Sequence, residues 1–421
     1  MSGKPYRLSA SAHDSGYGRA IDREKVVDFH WNGQRMPAFK GDSLASALMA
    51  NGVRVMGRSF KYHRPRSVLG LGAEEPNALV GVGEGNKAEP NLRASQVEVF
   101  DGMTAKPQNA WPSTEFDIGA INNTFSRFIP SGFYYKTFMW PQKFWKSVYE
   151  PFIRNAAGLG VAPTGPDPDT YEQFNCHCDV LIVGGGVAGI AAAEAAAATG
   201  GRVILVDENP NLGGVADLFA GEIDGKPQTD WVAEKVERLA GLENVQILTR
   251  TTGVGHFHQN YLMLFQRLSE HDPALANEGV PRHRLWKVRA KQVIVATGAL
   301  ERPIPFANCD RPGVMLSSAI RGYAVRYGVA VGQRGVLFTN NDDAYQTATI
   351  LAKAGVPVAA IVDARTDPSG PLIEEAKAAS IKIITGSAIS GLKTTFGGKL
   401  IKVVEVASYT GGSRVAGTTQ E

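Results

Sequence analysis

The feature that most constrains the fold is a glycine-rich turn between an apolar strand and an alanine-rich helix. Residues 179–183 (DVLIV) are typical of a buried strand, the next six read GGGVAG, and an alanine-rich helix follows. Gly184 permits a tight turn, Gly186 lets the backbone approach a pyrophosphate, and Gly189 lets the helix pack closely on the strand. The free N–H groups at the start of such a helix favour a bound phosphate. The pattern therefore predicts a Rossmann-like dinucleotide-binding unit.

An acidic pair at the end of the next strand extends this pattern. Residues 202–206 read as a strand, and Asp207 follows it, 23 residues after Gly184. A carboxylate at this place accepts hydrogen bonds from the hydroxyls of an adenosine ribose. Asp207 and Glu208 would also repel a 2′-phosphate, so NAD or FAD is expected rather than NADP. The motif does not choose between NAD and FAD.

Two further stretches accompany this unit. Residues 211–214 (NLGG) follow the acidic pair, and residues 293–298 (VIVATG) read as a returning strand beside the cofactor; together they resemble the glutathione-reductase-like class. A second α/β unit follows, with a strand at 335–338 and a helix at 343–353. The loop between them, 339–343 (TNNDD), has no glycine and carries two carboxylates. We therefore predict helix capping there rather than a second phosphate site.

The N-terminal part is predicted to be a small β-grasp domain. The segments VVDFHW and QRMPAF read as two strands joined by Asn32-Gly33, which favours a type I′ turn. A helix capped by Asp42 or Ser43 follows. Two further strands are expected after this helix, at 78–82 and 95–100. Hairpin, helix and returning strands are the order of a β-grasp fold.

The segment 106–175 is predicted to be an aromatic-rich connector, with eleven aromatic residues between 125 and 152. Such rings, with nearby lysines and arginines, can stack on single-stranded nucleic acid. A buried connector, packed between domains or against another subunit, is the preferred interpretation, because the charge of the whole chain is balanced and no RNA-binding motif is present. The predicted division is an N-terminal arm at 1–24, the β-grasp domain at 25–105, the connector, and a Rossmann-like domain at 176–421 that is incomplete at its C-terminus.

The composition excludes several classes of function. The chain has 44 Lys+Arg against 41 Asp+Glu, a net charge of +3, which gives no electrostatic reason to expect nucleic acid or a membrane as a partner. Its three cysteines are too few for a disulfide framework and fit a reducing compartment. The sequence has no apolar run long enough to cross a membrane and no signal-peptide core at its N-terminus. We therefore expect a soluble, cytoplasmic protein of two or three domains.

Other chemical sites are not predicted. Cys176-His177-Cys178 is too tightly spaced for a usual zinc site. Cys309 has no neighbouring cysteine for dithiol chemistry, and His256-x-His258 has no evident third ligand. No catalytic residue and no metal ligand is assigned.

Several longer stretches resemble the alpha subunit of heterotetrameric sarcosine oxidase. They are GRSFKYHRPRSVLGLGAEEPNALV at 57–80, SGFYYKTFMWP at 131–141, AAGLG at 156–160, DVLIVGGGVAGIAAAEAA at 179–196, VILVDENPNLGG at 203–214, VIVATGALERPIPF at 293–306 and LFTNNDDAYQTA at 337–348. The resemblance covers nearly the whole chain after about residue 20. Members of that family continue for several hundred residues more, so the resemblance implies the N-terminal part of such a subunit.

The resemblance also implies cofactors. In that family the Rossmann-like domain carries NAD, the amine-oxidising FAD lies on the beta subunit, and FMN lies near the boundary between the alpha and beta subunits. The N-terminal domain resembles a [2Fe–2S] ferredoxin domain, but this sequence has no cysteine before residue 176 to hold a cluster there. The expected cofactor-binding residues are Gly184, Gly186, Ala188, Gly189, Asp207, Glu208, Asn209, Gly214, Val215, Val254, Thr297 and Gly298.

The implied activity is that of an oxidoreductase acting on CH–NH groups with oxygen as acceptor. The chain would be an alpha-type subunit that binds NAD and supports the oxidative demethylation of sarcosine to glycine at a flavin on a partner subunit, in a complex with smaller subunits. One alternative is a free-standing oxidoreductase dependent on FAD and NADH, which needs a second phosphate loop. The other is a non-catalytic assembly module of an amine dehydrogenase complex, in which the 125–152 segment docks a flavoprotein partner.

Overall fold

The computed structural model describes residues 6–9, 11–12, 15–130, 132, 140–410 and 413–414. Its contacts divide the chain into two compact units, one formed by Met1–Pro166 with Glu301–Glu421 and the other by Asp167–Leu300. The sequence instead predicts one domain over 176–421. The physical reason for the difference is a shared core, because Leu316 and Tyr323 pack in the same apolar cluster as the N-terminal sheet. The boundaries predicted at 24, 105 and 175 stay predictions.

The N-terminal hairpin has the predicted turn. Strands β1 (Asp22–Trp31) and β2 (Gln34–Lys40) pair antiparallel around Asn32-Gly33, whose φ angles are 49° and 80°. Positive φ at both positions is what a type I′ turn requires, so this prediction is confirmed. Helix α1 (Leu44–Ala50) follows, and the side chain of its N-cap Ser43 accepts a hydrogen bond from the backbone of the first turn.

The remaining strands of this part are β3 (Gly57–Arg58), β4 (Pro65–Arg66), β5 (Leu79–Val82), β6 (Glu89–Arg93) and β7 (Thr104–Pro107). β3 and β4 pair with each other in a separate two-stranded sheet. The others complete a β-grasp sheet with the order β2-β1-β7-β5-β6, in which β1 and β7 are parallel. The strand expected at 78–82 is confirmed as β5. The strand expected at 95–100 is wrong, because the Gln96 N–H donates to the Arg93 carbonyl and closes a turn there.

The Asp167–Leu300 unit is a Rossmann-like sheet preceded in the chain by two short helices, α2 (Ile121–Thr124) and α3 (Glu150–Ala157). The sheet has the order β12-β9-β8-β15-β14-β13, with its first four strands parallel. Its elements are β8 (Tyr171–Val183), α4 (Val187–Ala197), β9 (Val203–Val206), β10 (Glu222–Ile223), β11 (Lys226–Pro227), α5 (Gln228–Ala240), β12 (Val245–Leu248), β13 (Thr251–Phe257), β14 (Tyr261–Arg267), α6 (Pro273–Asn277) and β15 (His283–Val295).

The apolar residues of β8 alternate between two cores, since successive strand residues point to opposite faces. Ile182 packs with α4 and α5, whereas Leu181 packs with β14 and β15 on the other face. The glycine turn therefore leaves a strand that is covered on both sides. This is the setting in which a Rossmann turn is held rigidly.

The C-terminal part contains a three-stranded parallel sheet, β16-β17-β18, and a three-stranded antiparallel sheet, β19-β20-β21. Among the described residues, none of the helices of the chain combines the length and the apolar character that crossing a bilayer needs. The elements are α7 (Ser317–Tyr327), β16 (Gly335–Thr339), α8 (Asp343–Lys353), β17 (Val358–Asp363), α9 (Pro371–Ala378), β18 (Ile383–Ile384), β19 (Ser387–Thr394), β20 (Ile401–Thr410) and β21 (Ser413–Arg414).

Candidate dinucleotide-binding site

Two glycines of the turn between β8 and α4 are required by the fold, and a third leaves space. At Gly184 φ is +107°, and an added Cβ would lie 2.3 Å from the carbonyl oxygen of Ala296. At Gly189 an added Cβ would lie 1.8 Å from the carbonyl oxygen of Gly184. A Cβ added at Gly186, the N-cap of α4, would approach nothing closer than 3.8 Å. Gly186 therefore keeps open the space before the N–H groups of the first helical turn, which can receive a phosphate.

Asp207 follows β9, is 8% exposed, and is already hydrogen-bonded to the protein. Its Oδ2 accepts a hydrogen bond from the backbone N–H of Gly185 at 2.7 Å. Its Oδ1 accepts from the backbone N–H and the side-chain amide of Asn209, at 2.8 and 2.9 Å. A carboxylate has about four acceptor sites. Asp207 therefore braces the glycine turn, and these three hydrogen bonds use three of its acceptor sites.

The NLGG stretch lies directly against the glycine turn. The backbone N–H of Gly213 donates to the carbonyl of Gly185 at 2.8 Å, and a Cβ added at Gly214 would lie 2.9 Å from the Cα of Gly186. A Cβ added at Gly185 would lie 2.3 Å from a methyl group of Leu212. Gly185 and Leu212 were not among the predicted site residues. The run of three glycines at 184–186 could have indicated Gly185.

The start of β13 is hydrogen-bonded to the acidic pair. The Thr251 N–H donates to the carbonyl of Asp207 at 2.7 Å, and the guanidinium of Arg267 donates to the carbonyl of Glu208 at 2.9 Å. Val254 lies three residues further along β13 and is 54% exposed. The hydrogen bond of Thr251 thus fixes the start of β13 beside Asp207, and Val254 lies on the same strand, about 10 Å further along. The sequence pattern did not indicate Arg267.

The last predicted residues lie exposed around the same turn. The β15 strand returns beside β8, and the backbone nitrogen of Thr297 would lie 3.0 Å from a Cβ at Gly184. The exposed members of the predicted set are Ala188, Asn209, Val215, Val254, Thr297 and Gly298. The structure therefore gathers the predicted residues in one unit, and their binding of a dinucleotide stays a prediction.

The loop between β16 and α8 is built differently. The side-chain oxygen of Asn341 accepts a hydrogen bond from the Asp343 N–H at 3.0 Å. The N-cap residue itself, Asp342, makes no side-chain capping hydrogen bond, so the predicted capping is made by Asn341 alone. Asp342 forms an ion pair with Arg365 at 2.8 Å, and Asp343 forms one with Arg321 at 3.0 Å. The loop has no glycine that would let its backbone approach a pyrophosphate, and its polar side chains bind other parts of the protein, so it lacks the features of a second dinucleotide site.

The Cys176-His177-Cys178 segment lies within β8. Successive strand residues point to opposite faces, so His177 faces away from the two thiols. Burial raises the pKa of Cys178 to about 12, so its thiol stays protonated near neutral pH. These three residues form no convergent set of metal ligands.

Comparisons with known proteins agree with this architecture. Residues 24–110 match the family described as "2Fe-2S iron-sulfur cluster binding domain", and residues 179–278 match "FAD dependent oxidoreductase". The chain is 47% identical to sarcosine oxidase subunit alpha of Rhizobium meliloti (strain 1021) over 386 residues, 92% of this chain and 38% of that protein. The chain belongs to the sarcosine oxidase alpha-subunit family.

A second relative has the same name. The chain is 36% identical to sarcosine oxidase subunit alpha of Corynebacterium sp. (strain U-96) over 405 residues, 95% of this chain and 36% of that protein. The chain thus spans less than two fifths of the length of these relatives. A crystal structure of L-proline dehydrogenase from P. horikoshii has a TM-score of 0.56 and 21% identity, covering 88% of this chain and 57% of the other. That likeness confirms the fold class, a β-grasp domain followed by a Rossmann-like domain.

The first matched family is described by a cluster that the residues of this chain do not fit. Ferredoxin-type [2Fe–2S] clusters are held by cysteine thiolates, and the chain has its cysteines at 176, 178 and 309, outside the matched range. A buried carboxylate organises a loop of this domain instead. Glu75 is 1% exposed. It accepts hydrogen bonds of 2.6 to 3.0 Å from the backbone N–H groups of Leu69, Gly70, Asn77 and Ala78.

Proposed function

We propose that the Asp167–Leu300 unit binds one dinucleotide, NAD, beside the glycine turn. The observation that carries this proposal is Asp207, whose carboxylate is braced against the turn. The adenosine ribose would be held by Asp207 and Glu208, and the pyrophosphate by the N–H groups that follow Gly186. NAD supplies a hydride acceptor when it is bound. The residues named here bind and orient it, and none is assigned a catalytic step.

We further propose that the chain acts as an alpha-type subunit, or part of one, in a cytoplasmic, heterotetrameric, sarcosine-oxidase-like complex. Its relatives are named as subunits of sarcosine oxidase. The reaction would be the oxidative demethylation of sarcosine to glycine, at a flavin on a beta-type partner subunit and with oxygen as acceptor. FMN would lie at the boundary with that partner. The 339–343 loop supports this reading over a free-standing reductase, because it offers no second phosphate site.

FAD is the second candidate for the dinucleotide site. It is favoured by the match of residues 179–278 to the FAD-dependent oxidoreductase family. The same carboxylate and the same helix N-terminus serve the adenosine and pyrophosphate of either cofactor. The two candidates differ in the ring that lies beyond the pyrophosphate, and in either case the exposed Thr297 and Gly298 would contact the cofactor.

The test is an absorption spectrum of the purified chain, with mass spectrometry of the nucleotide released on denaturation. A colourless protein that releases NAD would support the proposal. A yellow protein that releases FAD would favour the second candidate and make this chain a flavoprotein. Release of no nucleotide, with no binding of added NAD or FAD by calorimetry, would contradict both candidates.

A further inference from the structure

Residues 110–157 form an excursion from the β-grasp domain whose two ends meet. A Cβ added at Gly158 would lie 2.3 Å from the Cβ of Asn109, so the chain returns to the point at which it left. We call the described residues of this excursion, 110–130, 132 and 140–157, the aromatic lobe. Residues 131 and 133–139 and the side chain of 156 lie outside the described residues, and with them four of the aromatic residues counted in the sequence.

The described part of the aromatic lobe is anchored through polar groups. The buried Asp117 carboxylate contacts the ring of His63 at 2.7 Å, and the Arg58 guanidinium donates to the carbonyl of Thr114. The hydroxyl of Tyr62 donates to the carbonyl of Ile129 at 2.7 Å. Burial alone would raise the pKa of Asp117, but its hydrogen bonds from His63 and the backbone outweigh burial and lower the pKa. These polar contacts attach the described part of the lobe to the β3–β4 region.

Its apolar side chains point outward. Among the described residues of the lobe, no apolar side chain is buried and none belongs to a hydrophobic core of the chain. The sequence favours a connector that is buried between domains or against another subunit. Within this chain, the described part of the lobe is not buried. The most exposed are Trp111 69%, Phe116 69%, Ile118 52%, Ile121 59%, Phe125 51%, Phe128 78%, Trp140 83%, Val148 50% and Phe152 66%.

The exposed apolar area is sufficient for a stable protein interface. A large aromatic side chain presents on the order of 200 Å². The six aromatic residues that are at least half exposed therefore present on the order of 800 Å². A typical interface buries about 800 Å² on each partner, and the largest apolar patch of a monomer is about 300–600 Å². An apolar surface of this size needs a partner to cover it.

The charges of the lobe determine what kind of partner fits. Glu115 forms an ion pair with Lys399, and Glu150 forms one with Arg154. Together with Asp117, which contacts His63, these account for the acidic residues of the lobe. Its remaining charges are cations, and all are exposed among the described residues: Arg127, Lys143 and Lys146. The complementary surface is therefore apolar with an acidic rim.

We propose that the aromatic lobe is the docking surface for another protein subunit, whose facing surface is apolar and acidic. The identification of that subunit as the flavin-bearing one rests on the proposed function. A protein is favoured over single-stranded nucleic acid because aliphatic side chains, Ile118, Ile121 and Val148, share the exposed surface and offer no ring on which a base can stack. The three exposed cations named above, counted over the described residues, are also few for a backbone-tracking groove.

The test uses the chain co-expressed and purified with the flavin-bearing beta-type subunit of the same organism. The double variant Phe128→Asp/Trp140→Asp places charge on the exposed apolar surface. It should weaken binding and raise the dissociation constant at least 100-fold. Lys143→Glu/Lys146→Glu should slow association and reverse its dependence on salt. The matched control is Phe396→Asp, since Phe396 is fully exposed in the same unit but outside the lobe, and it should bind like the unmodified chain.

The outcomes separate this proposal from the proposed function. Loss of binding in the lobe variants, with unchanged circular dichroism and dinucleotide content, supports the docking surface. If the unmodified chain binds the flavin-bearing subunit and the lobe variants bind as tightly, the docking surface is wrong while the subunit role stands. If the unmodified chain does not bind that subunit, both fail. Binding of a labelled oligouridine that is lost in Phe128→Asp/Trp140→Asp would replace the protein partner with nucleic acid and overturn the proposal.

Discussion

Replacing Asp207 with alanine tests the centre of the candidate site, because it removes three hydrogen bonds at once. The Gly185 N–H is buried and would be left without its acceptor, which costs about 1–3 kcal/mol. The two donors of Asn209 are exposed and can turn to water, so their loss costs about 1 kcal/mol together. Asp207→Ala should therefore lower the free energy of unfolding by about 2–4 kcal/mol.

The same change should also weaken the binding of the dinucleotide, by more than the loss of protein stability alone explains. A charged hydrogen bond to the ribose contributes about 1.5–3 kcal/mol, which corresponds to a rise in Kd of roughly 10- to 150-fold. Isothermal titration calorimetry with NAD measures the Kd, and urea unfolding followed by tryptophan fluorescence measures the stability. Both measurements use the same preparation, from which bound nucleotide has been removed.

Asp179→Ala is the matched control. Asp179 also accepts a backbone N–H, that of Arg202 at 2.7 Å, and pairs with Lys291 at 2.8 Å, but it lies four residues before the end of β8. We expect this variant to lose stability and to keep its affinity for the dinucleotide. An equal Kd for Asp207→Ala and Asp179→Ala would refute the assignment of Asp207 to the ribose.

Three further predictions follow from single contacts. Gly189→Ala should abolish dinucleotide retention after gel filtration, because its Cβ would lie 1.8 Å from the Gly184 carbonyl oxygen. The control Gly241→Ala, whose Cβ would have no atom closer than 3.6 Å, should retain the dinucleotide. Retention in both variants would contradict the packing argument. Glu75→Gln should lower the free energy of unfolding, measured in urea, by about 2–4 kcal/mol, since an NH₂ group would face two backbone N–H groups. The control Glu84→Gln, at an exposed position, should change this free energy little. Equal effects would contradict the role given to the Glu75 carboxylate. Burial raises the pKa of Asp310, but the hydrogen bond and charge of Arg66 outweigh it and lower the pKa. The stability from this pair is therefore present above about pH 4 and lost as the pH falls through the lower folded pKa. In urea unfolding between pH 7 and 3, the free energy of unfolding should fall less steeply with acid in Asp310→Asn than in the unmodified chain. Parallel curves for the two proteins would disprove this contribution of the pair.

Features that depend on neighbours in the sequence were predicted correctly. The Asn32-Gly33 turn follows from the backbone freedom of two adjacent residues. Helix α8 has the predicted bounds, because its apolar spacing and its preceding Asn and Asp residues agree. The glycine turn belongs to the same group, since its strand, helix and glycines lie within a few residues of one another.

Features that depend on distant contacts were not predicted. Helix α7 was missed because its apolar pattern is interrupted by Arg321, which is buried against its partners Asp343 and Thr347 on helix α8. The strand expected at 95–100 was wrong because the carbonyls of Ala94 and Val97 accept hydrogen bonds from the start of helix α1 and not from a neighbouring strand. In both cases the deciding contact lies outside the local pattern of apolar residues.

The sequence by itself determined that one unit of this chain is Rossmann-like, because the turn needs glycines at fixed places that no other residue can take. It also determined that the β-grasp domain has no cysteine ligands for a cluster. Only the tertiary structure decided that Asp207 is braced by three hydrogen bonds, that residues 315–331 share a core with the N-terminal sheet, and that none of the described aromatic residues of the lobe is buried. Burial and hydrogen bonding between distant residues depend on how the chain packs. An apolar residue that becomes buried within the chain also has the same sequence pattern as one that faces a partner, so the sequence cannot distinguish the two.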